Sequence, residues 1–117
     1  MTVRPFSRLT VVRLVTAPDA PPRGPDGDRI QEAHLAYLNG LVADGTILAN
    51  GPFRPIDDPS LRGMSLYTVG AEEARRLAEA DPGVRAGWFA IRVDEWIFPA
   101  VPRAIGDRTD LELDVPF

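Results

Sequence analysis

Residues 30–41 read IQEAHLAYLNGL. Ile30, Tyr37, Leu38 and Leu41 recur at the spacing of one helical face. The only histidine of the chain, His34, stands four residues after Ile30 and four before Leu38, so its ring shares that face and points inward. An inward titratable ring is either a core histidine bonded to a backbone carbonyl or the working group of a pocket. The helix runs on to about Asp44, and Gly45 ends it as a C-terminal glycine does. Upstream, Asp26 or Asp28 is placed to cap it.

The flanking segments set the architecture. Residues 9–16, LTVVRLVT, are rich in β-branched side chains and form a strand. Leu9, Val11 and Val15 fall on one face, Val12 and Leu14 on the other, the pattern of a central strand covered on both sides. Arg13 interrupts the first set, as a charge at a sheet rim or as an anion-binding group in a cleft. Residues 17–28, APDAPPRGPDGD, are a long loop with four prolines and two glycines. After the helix, residues 46–54 make a second strand ending in Asn50-Gly51-Pro52, where Gly51 admits a close approach by backbone or ligand. Residues 55–62 connect it to a third strand at 63–69. Gly70 opens a second helix, 71–80, with Glu72 and Glu73 suited to its first turn. That helix stops at Asp81-Pro82. Residues 83–87, GVRAG, are a turn into a last strand, 88–97, in which Phe89, Ile91, Val93 and Ile97 form an apolar set.

The order strand–helix–strand–strand–helix–strand is the α+β, ferredoxin-like βαββαβ arrangement, with both helices on one face of an antiparallel sheet. The other face is apolar enough to need cover, and a chain of 117 residues has no third layer to supply it. A homodimer formed sheet to sheet is therefore expected. Residues 1–97 make one domain. Residues 98–117 are a C-terminal extension, read as an edge strand, an arm over the partner or a loosely held terminus.

Composition narrows the function classes. A net charge of −4 disfavours nucleic acid or an anionic membrane surface as main partner. The chain has no cysteine, which excludes disulfides, thiolate metal sites and a cysteine nucleophile. No stretch approaches the roughly 20 apolar residues of a membrane span, and the N-terminus lacks the apolar core of a secretory signal. A cytoplasmic location is expected.

With His34-Leu35-Ala36-Tyr37-Leu38, Gly51-Pro52 after the second strand, Glu72-Glu73-Ala74, and Ala78-Glu79-Ala80-Asp81-Pro82 closing the second helix, the chain resembles the YciI-like (YCII-related) family over roughly residues 9–97. The resemblance implies a dimeric α/β barrel of ferredoxin-like subunits, two sheets face to face. It also implies a histidine–aspartate site, which falls here on His34 and Asp81. Some members of that family are described as lyases that remove a small leaving group from a ring. The chain departs from the family in carrying Gln31 where an arginine often precedes the helix histidine, which bears on substrate class more than on fold.

The chemistry has its own logic. A histidine can take and return a proton near neutral pH. A carboxylate on one ring nitrogen fixes the tautomer and stabilises the imidazolium. Such a pair supports elimination, dehydration or isomerisation with no metal and no organic cofactor. Asp81 before Pro82 also has the form of a helix N-cap with proline at the first position, and one carboxylate can serve both ends. The expected function is a cofactor-independent lyase or isomerase for a cyclic or aromatic small molecule. The alternative is a non-catalytic ligand-binding or interaction module. Arg13, Tyr37, Asn50, Gly51 and Ser65 are the substrate-binding candidates. Ser65 has no base placed near it, so a serine nucleophile is not expected. An enzyme needs His34 within reach of Asp81 and one ring nitrogen open to a cavity, whereas a binding module tolerates a fully enclosed ring.

Overall fold

The computed structural model describes residues 5–99. Its elements are β1 (Phe6–Thr16), α1 (Gly27–Ala43), β2 (Ile47–Pro52), β3 (Leu61–Tyr67), α2 (Ala71–Glu79), α3 (Pro82–Arg85) and β4 (Phe89–Pro99). The four strands form one antiparallel sheet in the order β2-β3-β1-β4. This is the expected α+β, ferredoxin-like arrangement, with β1 inside the sheet.

Register shows which side chains share a face, because directly paired residues point the same way. Val12 pairs with Ser65 of β3 and Val93 of β4, and Leu14 with Gly63 and Ile91. This is the helix-facing side. Val12, Leu14, Ile47, Tyr67 and Phe89 pack there with Leu38 of α1 and with Ala74 and Ala78 of α2 in one buried core. The two alanines let α2 lie close to the sheet. The opposite side carries Leu9, Val11, Arg13 and Val15 of β1 beside Met64 and Leu66 of β3.

Two expectations need correction. Residues 83–87 are not simply a turn: Pro82–Arg85 is a one-turn helix, α3, and Asp81 is its N-cap. A proline at the first helical position and a capping carboxylate make even this short turn helical. Helix α1 begins at Gly27, directly after Asp26, one of the two expected capping positions, although the Asp26 side chain makes no capping hydrogen bond. Strands β1 and β4 are longer than their apolar runs, pairing from Phe6↔Pro99 inward. Residues 98 and 99 thus belong to β4, and the rest of the C-terminal extension, 100–117, lies outside the described residues. Gly45 follows α1 with φ of +84°, the left-handed conformation expected of a terminating glycine.

Candidate functional site

His34 and Asp81 lie against each other in the interior. Helix α1 aims His34 inward one turn before Leu38, and both are buried. Asp81 ends α2 and caps α3, which packs on α1. The His34 Nδ1 atom is 2.7 Å from Asp81 Oδ1 and 2.8 Å from Oδ2. The Gly83 backbone N–H donates to the same Oδ1 at 2.8 Å. A carboxylate only accepts, so Nδ1 carries the hydrogen and donates to it. The cap and the histidine contact are therefore not alternatives, since one carboxylate makes both.

The surroundings hold the pair rigidly. His34 is 0% and Asp81 1% exposed. The Phe89 ring packs on His34 with centroids 5.4 Å apart and planes tilted by 47°. A Cβ on Gly83 would stand 2.7 Å from Phe89 Cε2 and 3.3 Å from His34 Nδ1, so only glycine fits there without displacing a ring. Burial, followed by the Tyr37 and Asp81 charges, pushes the Tyr67 hydroxyl well above the ordinary range. Burial and then Asp81 push Tyr37 the same way. Both phenols stay neutral around the carboxylate.

The other candidates fall on both sides of the sheet. Arg13 alternates with the core residues Val12 and Leu14, and so lies on the opposite side of the sheet from His34. It is not at a sheet rim, because β1 is interior; its guanidinium pairs with Asp94 at 3.3 Å. The Tyr37 hydroxyl donates to the Leu77 carbonyl at 2.7 Å, joining α1 to α2. Asn50 and Ser65 are register partners across β2 and β3, and Ser65 is buried. Asn50 and Gly51 line a cavity of about 260 Å³ with Phe53, Met64 and Leu66. A second cavity, about 370 Å³, lies between Arg8–Thr10 and Thr68–Ala71. A third, about 210 Å³, is walled by Pro21, Arg23, Arg62, Trp88 and Phe89. His34 lines none of the three, and its Nε2 atom is buried. The contact with Asp81 meets one requirement of an active pair; among the described residues, none of these three cavities reaches the ring.

Reading the sequence for chemistry missed Gly83 and Phe89. The only signal for Gly83 was its position two residues after a capping aspartate. Phe89 showed only as one member of an apolar strand set. Among the described residues, no group of three or more His, Asp or Glu side chains is gathered to hold a metal ion. No helix among them is long and apolar enough to cross a membrane.

Comparison with known proteins agrees with this architecture. Residues 11–97 match the YCII-related domain. The protein YciI of Escherichia coli O6:H1 is 39% identical over 67 residues, covering 51% of this chain and 68% of that protein, and YciI of Shigella flexneri matches to the same extent. Among solved structures, the 5-chloro-2-hydroxyhydroquinone dehydrochlorinase TftG of Burkholderia phenoliruptrix AC1100, in complex with 2,5-dihydroxybenzoquinone, superposes with a TM-score of 0.53 at 29% identity. The match covers 75% of this chain and 92% of that one.

Proposed function

Because the chain belongs to the YCII-related domain family, we propose that it is a small cofactor-independent lyase or isomerase acting by proton transfer on a cyclic or aromatic metabolite. His34 is its acid–base group and Asp81 the residue that orients it. The observation that carries this reading is the buried contact of Nδ1 with both Asp81 oxygens. Asp81 holds the Nδ1 hydrogen, which leaves Nε2 as the atom that takes and returns a proton. In an elimination, Nε2 removes a proton from a ring carbon beside a carbonyl, or from a ring hydroxyl. The electron pair released expels a leaving group such as halide from the ring, and the net loss is HX. Asp81 stabilises the imidazolium formed in between. Kinship in fold and sequence with a dehydrochlorinase that acts on a hydroquinone favours ring compounds as substrates.

The active unit in this reading is a homodimer joined through the open face of the sheet. Leu9, Val11 and Met64 are only half-buried there, around the Arg13–Asp94 ion pair. A cytoplasmic setting accords with a chain that has no cysteine.

One observation favours the second reading, a non-catalytic binding module: His34 is wholly enclosed. The two are separated by chloride release from 5-chloro-2-hydroxyhydroquinone together with NMR of the sole histidine. The lyase reading expects release by the wild type and a loss of roughly 10²–10⁴-fold in His34→Gln, the usual worth of a positioned acid–base group. No release, with 2,5-dihydroxybenzoquinone binding yet leaving the His34 ring signals unmoved, would establish the binding module instead.

A further inference from the structure

The cavity beside Phe89 has a composition that the acid–base pair does not explain. Its outer wall is the proline-rich segment between β1 and α1, with Ala20, Pro21 and Arg23; its floor is Thr16, Arg62, Trp88 and Phe89. The segment is tied down: the Ala17 N–H donates to the Trp88 carbonyl at 3.0 Å. The Arg23 guanidinium lies 3.9 Å above the Trp88 ring, and its Nη1 donates to Gln31 Oε1 at 3.1 Å. Among the described residues, neither Arg23 nor Arg62 forms an ion pair, whereas Arg8, Arg13, Arg29 and Arg76 each meet a carboxylate. Burial, and after it the neighbouring Arg62 charge, holds Arg23 below its ordinary range. Two like charges converging on one cavity repel each other, and a bound anion would relieve that. The inner wall is aromatic, and Phe89 touches the cavity on one side and His34 on the other.

We propose that this cavity binds a small monocyclic anion, a ring bearing an ionised carboxylate or phenolate. Arg23 and Arg62 clamp the charge, and Phe89 partitions the ring from His34. A volume of about 210 Å³ suits one ring with its substituents. The anion site stands on the cavity itself, while the role of Phe89 rests on the acid–base reading above. Phe89 lines this cavity and packs on His34, so displacement of its ring would open the cavity toward the histidine.

The test uses benzoate and its neutral counterpart benzamide as probes, followed by NMR at the Trp88 indole N–H and at the His34 ring. Trp96→Phe assigns the two indole signals. Arg23→Gln and Arg62→Gln are compared with Arg75→Gln, which removes the same charge from exposed α2; an unchanged free His34 spectrum certifies the fold of each. The expectation is saturable benzoate binding that shifts the Trp88 signal, weakens with added salt, and drops roughly tenfold in each cavity variant but not in Arg75→Gln. Benzamide should bind far more weakly. Equal binding of the two probes, or benzoate affinity indifferent to both arginines, overturns the anion site. Arginine-dependent binding that leaves the His34 signals unmoved, in the wild type and in Phe89→Ala alike, keeps the anion site and overturns its link to the acid–base pair.

Discussion

Asp81 is the residue on which the interior turns, because three constraints meet on one carboxylate: a histidine, a backbone amide and near-complete burial. Asp81→Ala removes the cap and leaves the ring facing a void. Unfolding in urea should show a loss of about 3 kcal/mol. Asp81→Asn keeps the oxygen that Gly83 and Nδ1 share but sets an NH₂ group in place of Oδ2, 2.8 Å from Nδ1, where it competes for that nitrogen as an acceptor. The tautomer should therefore move toward Nε2–H, and the ¹⁵N shifts of the single histidine report this directly. Unchanged shifts would mean that the carboxylate does not set the tautomer. Gly83→Ala drives a Cβ into the Phe89 ring, a case of overpacking that should cost about 1–3 kcal/mol and displace the His34 ring signals.

At the scale of elements, the site exists because three helices meet over one end of the sheet. Helix α1 brings the histidine, the end of α2 brings the aspartate, and α3 turns its first amide back onto that aspartate. The Tyr37 hydroxyl bonded to Leu77 helps to hold α1 and α2 in register. Tyr37→Phe should cost about 1 kcal/mol in a denaturation measurement, the worth of one half-buried hydrogen bond. Turnover should be unaffected, since Tyr37 lines none of the three cavities described. A large loss of turnover with stability intact would instead place that hydroxyl in the chemistry. Helix α3 shows the limit of periodicity: four residues are too few to show a helical repeat, so only the Asp81-Pro82 signature announces it.

For the molecule as a whole, the two sides of the sheet differ in kind. One is sealed by helices; the other mixes apolar side chains with an Arg13–Asp94 ion pair of which both members are substantially exposed. Association through that open side should appear in sedimentation as a dimer, and Val11→Lys should convert it to monomer by placing an unpaired charge mid-face. Unaltered sedimentation of Val11→Lys, or a wild type that sediments as a monomer, would exclude this mode of pairing. The same division explains why Arg13 is remote from His34: neighbours in a strand point to opposite sides, and Val12 is the one that faces the helices.

The order of the four strands and two longer helices, the antiparallel α+β fold, the inward histidine and the capping position of Asp81 were legible in the chain. Each depends on local rules: a helical repeat of 3.6, a strand repeat of 2, and the chemistry of a proline that follows a capping residue. Convergence was legible only where it repeated a family pattern, as for His34 and Asp81. The placement of Arg13 on the side of the sheet away from the pair, the Phe89 ring against His34, the exclusion of any side chain at Gly83, and the meeting of Arg23 with Arg62 are products of tertiary structure. They bring together residues far apart in sequence, and such distances follow from how helices and strands pack, which no local periodicity encodes.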